Sequence, residues 1–285
     1  MIDMTQTQTV SGNIVPSSMT QVGIITKYTF LDYFRSRRFF ILLAITILIS
    51  ALLTILVGYY RPAAFVSSGP LSFYSSWWGN STTFVVVLSG IFFGGDAISG
   101  EFQNKTGYFG IPNPIRRSSI YVGKYFAAFI ASTIILGIFT AITVGNGLFY
   151  FGLNIPYQFG ESLLFAWFYL IAVLGFTFLF SSIFKSSAMS ILVTAILFLF
   201  AFNLLQTLVS ALVQIEPWFI LTYGAQIIGN VLMVPYPAHS ATIDAGRISL
   251  TTYNVTIPEG LAIIVAYFIL TAVLGLLLFE RKEFT

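Results

Sequence analysis

Six stretches of the chain run without a single Lys, Arg, Asp or Glu: Phe39–Tyr60, Pro62–Gly95, Tyr125–Gly160, Ser162–Phe184, Ser186–Ile215 and Gly260–Phe279. A helix crosses the hydrocarbon core of a bilayer with about 20 residues, so each stretch holds one crossing. The pattern predicts spans near 39–58, 77–95, 125–150, 162–183, 189–213 and 260–279. The fold class that follows is an all-α integral membrane protein with six transmembrane helices. Ahead of the first span, Ile24, Tyr28, Leu31 and Phe34 recur at spacings of four, three and three, on one face of a helix, with Lys27, Asp32, Arg35, Arg37 and Arg38 around it. Residues 21–38 are therefore expected to form an amphipathic helix in the membrane interface. The alternative is a basic flank that only orients the first span. Residues 1–20 are polar and expected to be mobile. They lack the apolar core of a cleavable signal peptide, which leaves the first span as the targeting signal.

Composition agrees. Of 285 residues, 57% are hydrophobic and 8% charged, against roughly 25% charged in soluble domains. With so few charges the surface has to face lipid. Basic residues then set the orientation. With the N-terminus inside, 11 of the 13 fall on the cytoplasmic side, and only Arg61 and Arg247 lie outside. This bias predicts a multi-pass cell-membrane protein with both termini cytoplasmic. Trp77, Trp78, Tyr59 and Tyr60 fall where an outer aromatic belt is expected. Residues 214–259 become a long outer cap loop. Within it, Trp218–Val234 is apolar enough to suggest a seventh span, but Gln226, Asn230, Pro217 and Pro235 favour a partial, re-entrant segment. Thr251–Pro258 reads as strand-like. The positive net charge reflects the cytoplasmic face and implies no nucleic acid.

Catalytic chemistry is sparse. There is no cysteine, and the single histidine, His239, has no second metal ligand near it in sequence, so no metal is expected. The spans as drawn contain no charged residue, which weighs against proton relays. Gly123-Lys124 is followed by Tyr125 and lacks the preceding glycine of a P-loop, so the chain binds no ATP of its own by that motif. Asn203, Gln206, Thr207 and Ser210 fall at helical offsets of zero, three, four and seven, on one stripe of the fifth span. They serve either hydrogen bonding between helices or a substrate path. Asn146, between Gly145 and Gly147, reads as close packing. Asn254-Val255-Thr256 is a possible glycosylation sequon on the outer face.

The most polar stretch is Gly94–Arg117, GGDAISGEFQNKTGYFGIPNPIRR. Phe102, Tyr108 and Phe109 alternate there with Glu101, Gln103, Asn104 and Lys105. Pro112 and Pro114 stop any helix, and Ser118 or Ser119 can cap the next one. The expectation is a short helix across the cytoplasmic end of the second span with a rigid turn behind it. Glu101 is available to pair with Arg116, Arg117 or a basic residue of a partner. A solvated loop is the alternative.

The segment ISGEFQNKTGYFGIPNPIRRSSIYVGKYFAAFI resembles the signature after the second span of type-2 ATP-binding-cassette (ABC) exporter permeases. Gly100-Glu101, Pro112 or Pro114, Arg117 and Gly123-Lys124 match it, while Lys105-Thr106-Gly107 departs from the usual Gly-Thr order. The resemblance implies a permease that pairs with a second permease copy and with separate cytoplasmic ABC ATPase subunits, which carry the ATP and magnesium. It implies a coupling helix that includes Glu101, Phe102, Thr106, Gly107, Tyr108 and Phe109, followed by Pro112, Pro114, Arg116 and Arg117. It also implies re-entrant helices in the last outer loop and a substrate path between the two copies, lined by the second and fifth spans. The chain itself is then a transport subunit rather than an enzyme. An uncharged path favours amphipathic or apolar cargo. Two other readings remain: a non-transporting assembly or sensor subunit bound to an ATPase, and a passive channel or secondary carrier.

Overall fold

The computed structural model describes residues 17–60, 69–104, 115–245 and 248–282. Residues 1–16 of the polar tail lie outside these ranges. In chain order the elements are α1 (Ser18–Arg35), α2 (Arg37–Tyr60), α3 (Pro70–Gln103), α4 (Arg117–Phe151), α5 (Tyr157–Ile183) and α6 (Ser187–Val213). Two short helices, α7 (Leu221–Gly224) and α8 (Ile227–Asn230), then precede a hairpin of β1 (Ser240–Ala245) and β2 (Ile248–Tyr253), and α9 (Ile257–Arg281) closes the chain. Among the described residues, α2, α3, α4, α5, α6 and α9 are long and apolar enough to cross a membrane. They bracket the six stretches expected from the charge pattern.

Burial divides these helices into two classes. α3 and α5 are mostly enclosed, whereas α2, α6 and α9 bury about a fifth of their apolar windows or less. α5 lies at the centre, with α3 and α9 packed along it. Leu48, Leu52 and Ile55 of α2 and Phe200, Leu204 and Leu212 of α6 stay exposed, a surface that suits lipid. Several hydroxyls within the spans are satisfied locally. Thr46, Ser50 and Thr54 each donate to the carbonyl four residues earlier, at 2.8–2.9 Å, so they cost little in an apolar medium.

Close approach of α3 to α5 depends on a missing side chain. A Cβ on Gly94 would collide with the Thr177 hydroxyl. α1 makes a similar approach to α4. A Cβ on Gly123 would meet Ile25 at 2.8 Å, and the Thr26 hydroxyl donates to the Gly123 carbonyl at 3.1 Å. α1 thus turns Gln21 and Thr26 toward the protein and leaves Ile24, Tyr28 and Phe34 exposed, available to lipid in the manner of an interfacial helix.

One expectation is corrected here. Trp77 and Trp78 do not form an exposed belt; both are fully buried, while Tyr59 and Tyr60 remain exposed. Trp78 stacks on Phe139 at 5.6 Å and meets Phe159 edge-on at 5.0 Å, and its indole N–H donates to Ser162 Oγ at 2.8 Å. The Ser162 hydroxyl in turn donates to the Ile228 carbonyl in α8. The Trp78 indole therefore joins α3, α4, α5 and, through Ser162, the cap. Sequence position near a span end could not separate this from a belt, because both place an aromatic ring with a polar edge at the same depth.

The cap keeps to six spans, as the sequence reading has it, and departs from that reading at its strand. Trp218–Val234 contains the two short helices α7 and α8 and does not form a seventh long helix. The strand ends at Tyr253, and Thr256 already caps α9. Glu259 accepts from the Thr256 backbone N–H at 3.3 Å, and Pro258 sits in the first turn. This reciprocal cap and the proline start the helix where strand-like composition had suggested extension.

Candidate functional site

The helical ladder of α3 breaks at Gly94–Gly95 and resumes as a short terminal helix, Ser99–Gln103. Such a break frees backbone N–H groups that need partners. Ser181 of α5 supplies one: its Oγ accepts from the N–H groups of both Ile98 and Ser99 at 2.9 Å. The Tyr33 hydroxyl donates to the Phe93 carbonyl at 2.8 Å just before the break, and Arg38 forms an ion pair with Asp96 within it.

The short helix then contacts three more spans. Lys124 of α4 donates to the Ala97 carbonyl at 2.8 Å and forms an ion pair with Glu101. Gln103 Oε1 accepts from the Ser187 N–H at 2.7 Å, where α6 begins. Phe102 packs edge-on against Phe279 of α9 at 6.3 Å, and the Lys282 ammonium lies 4.3 Å above its ring. Five residues at the basic end of the bundle therefore join four other spans.

Arg117 and Lys282 extend this junction. Arg117 donates to the carbonyls of Glu280 and Lys282 at 3.0 and 2.8 Å, closing the end of α9. Lys282 donates to the carbonyls of Ser182, Ile183 and Phe184 at 2.9–3.1 Å, closing the end of α5. Cations at helix C-termini are favoured by the helix dipole. Burial and the nearby Lys185 nevertheless push the Lys282 amine down to about 8.

The sequence reading of this region is thus revised in two places. The ion pair found for Glu101 is with Lys124, which the motif had marked only as the opening of the third span. Arg117 serves the end of the last span. Arg116 donates its backbone N–H to Gln21 Oε1 at 3.3 Å. Thr106, Gly107, Tyr108, Phe109, Pro112 and Pro114 lie outside the described residues.

Toward the opposite end, a cavity of about 670 Å³ opens between α3, α5, α6 and the cap. Asn203 and Gln206 of the polar stripe line it, together with Thr83, Thr222, Gln226, Asn230 and Asn254. Among the described residues the buried Tyr169 hydroxyl has no hydrogen-bond partner, and it lines this space together with Asn230, whose side chain meets the Tyr236 hydroxyl. Thr207 and Ser210 part from the stripe. The exposed Thr207 bonds back to the Asn203 carbonyl at 2.9 Å, and Ser210 is buried in a π-helical turn, Val209–Val213. A second π-helical turn, Leu197–Ala201, lies on the other side of Asn203. A π-helical turn adds a residue and rotates the face beyond it; the one at Val209–Val213 takes in Ser210, whereas Asn203, Gln206 and Thr207 share the regular helix Phe202–Leu208. Asn146 donates to the Ile142 carbonyl at 2.9 Å, and its neighbour Gly147 packs on Tyr74, in keeping with close packing.

Two cap residues also find partners. Asn254 Nδ2, the atom a glycan would occupy, donates to the Ala238 carbonyl at 2.8 Å. His239 does not lack a neighbouring ligand group: Glu216 Oε2 lies 3.5 Å from its Nε2. The two are remote in sequence, and only the folding of the cap brings them together.

Six apolar crossings, a junction joining their ends and an open-sided cavity with polar groups in its wall make up a polytopic membrane protein. The chain belongs to the ABC-2 family transporter proteins, whose family model matches residues 24–284. It is a permease component of an ABC transporter. A comparison with curated protein sequences gives no match.

Proposed function

We propose that this permease is the membrane subunit of an ABC-type exporter, driven by separate cytoplasmic ATPase subunits and paired with a second permease copy. The observation that carries the reading is the bonding of Ser99–Gln103 to α4, α5, α6 and α9 at once. A force applied to the adjoining 104–116 segment would reach those four spans through contacts of a few ångströms. In this reading the basic end is cytoplasmic and the 104–116 segment seats on the ATPase, which holds the ATP and magnesium. ATP shifts the permease only through its differential affinity for two states of the ATPase pair. The permease converts that difference into access to the path.

The cavity between α3 and α6 supports the placement of the path, since the second and fifth spans supply much of its wall. Its lining combines amide and hydroxyl groups with Phe84, Val87 and Phe198, suited to an amphipathic cargo with an uncharged polar part. The test is copurification with an ABC ATPase, followed by ATP turnover in liposomes with candidate amphipathic cargo. Copurification with cargo-stimulated hydrolysis is the expected result. Copurification without any stimulated turnover or transport would instead make the chain an assembly or sensor subunit. Failure to bind any ATPase would remove the exporter reading.

A further inference from the structure

Three side chains from separate segments converge beside the cap: Glu216 after α6, His239 before β1 and Glu259 in the first turn of α9. One ligand atom of each lies within 4.8 Å of the other two. His239 Nδ1 is 3.0 Å from the Asn254 carbonyl oxygen. A carbonyl only accepts, so Nδ1 carries the hydrogen there, and in the neutral form of the ring the Nε2 lone pair faces Glu216 Oε2, 3.5 Å away. The other Glu216 oxygen accepts from the Tyr223 hydroxyl at 2.6 Å. Glu259 Oε2 accepts from the Thr256 N–H and hydroxyl at 3.3 and 3.4 Å, and the two carboxylates also meet each other.

Each of the three groups is thus held in place from behind, while its electron-pair donors face the other two. Two ionised carboxylates about 4 Å apart repel by about 4 kcal/mol near a protein surface. Only a shared proton or a cation reverses that sign. Outer hydrogen bonds that fix the imidazole tautomer and the carboxylate orientation are what a metal site needs behind its ligands.

We propose that Glu216, His239 and Glu259 bind a divalent cation of the Zn²⁺ class, which fastens the loop after α6 and the approach to the hairpin onto the start of α9. One imidazole and two carboxylates suit Zn²⁺ or Mn²⁺, with a position left for water. Mg²⁺ prefers an oxygen shell and fits poorly. Glu216 and His239 side chains are 26% and 48% exposed, so the site can load from solution.

The test uses the full chain, purified in detergent through a tag without histidine and stripped with a chelator. Zn²⁺, Mn²⁺ and Mg²⁺ are titrated by calorimetry, and thermal unfolding is followed with each. One Zn²⁺ per chain should bind and raise the unfolding midpoint, with no response to Mg²⁺. Glu216→Gln and His239→Ala should each weaken Zn²⁺ binding by about tenfold or more. Co²⁺ added to the unsubstituted chain should give a visible ligand-field absorption that His239→Ala alters. Absence of Zn²⁺ binding to the unsubstituted chain, or binding by both variants as tight as by the unsubstituted chain, overturns the proposal. Should a variant fail to fold, the Co²⁺ spectrum of the unsubstituted chain decides: a spectrum with imidazole ligation supports the site, and no spectrum overturns it.

Discussion

Lys124 holds two groups of α3 at once: its ammonium donates to the carbonyl of Ala97 and pairs with the carboxylate of Glu101. The pair is largely enclosed, at 15% and 24% side-chain exposure. It links the terminal helix of α3 to α4 from within the subunit. Glu101 therefore helps fix the position of the short helix.

This relationship yields the first prediction. Glu101→Gln and Lys124→Met should each lower the stability of the purified chain by about 1.5–3 kcal/mol, the usual range for a hydrogen bond to a charged group. The exchanged pair, Glu101→Lys with Lys124→Glu, should recover part of that loss. Thermal unfolding in detergent measures it. If all three variants melt with the unsubstituted chain, the pair does not hold the junction.

A second prediction concerns the contact of α3 with α5. Gly94→Ala places a methyl group against the Thr177 hydroxyl, and overpacking of this kind costs about 1–3 kcal/mol. Thr177→Ala in the same chain should relieve most of that cost. Melting temperatures of the single and double variants decide it, and a Gly94→Ala chain as stable as its parent would contradict the close approach.

Orientation supplies the third. Because the natural chain has no cysteine, single cysteines at Asn104, Ser186 and Ser240 can be labelled cleanly with an impermeant thiol reagent in intact cells. Ser240 should react from outside, and Asn104 and Ser186 only after the membrane is opened. Labelling of Asn104 in intact cells would reverse the orientation and remove the ATPase-facing role of the junction.

The cavity gives the fourth. Asn230→Leu replaces a polar group of the cavity wall with an apolar one, so cargo-stimulated ATP turnover in liposomes should fall severalfold while basal turnover holds. Thr207→Ala, at an exposed position bonded to its own helix, should leave both unchanged. Equal stimulation in the two variants would take the cargo path out of this cavity.

The last prediction is a titration. Lys282 should lose its proton near pH 8 rather than at the ordinary lysine value of 10.5. The unfolded chain then binds that proton more tightly, so burial of the charged amine opposes folding below about pH 8. That opposition is relieved as pH rises toward 10.5. Acylation across pH, mapped by peptide mass, should show Lys282 gaining reactivity with a midpoint near pH 8. A midpoint at the ordinary lysine value of 10.5 would refute it.

How much of this was legible beforehand follows from the physics of each feature. The lipid core admits only long uncharged helices, so the order of charges along the chain is enough to place six crossings and the polar segment between α3 and α4. The motif around Gly100-Glu101 and Gly123-Lys124 was also readable, because its residues lie within one loop and its flanks. The partners of those residues were not. Glu101 to Lys124, Ser181 to Ile98 and Gln103 to Ser187 are contacts between helices whose rotation is set by side-chain packing, which charge counting does not report. The same holds for Trp78, whose burial depends on the rings of Phe139 and Phe159 meeting it. The π-helical turn after Leu208 shifts the face by one residue, so Ser210 leaves the stripe in a way no fixed period foretells. Glu216, His239 and Glu259 are separated by about twenty residues at each step. Nothing local marks them, and only the folding of the cap over α9 makes them neighbours.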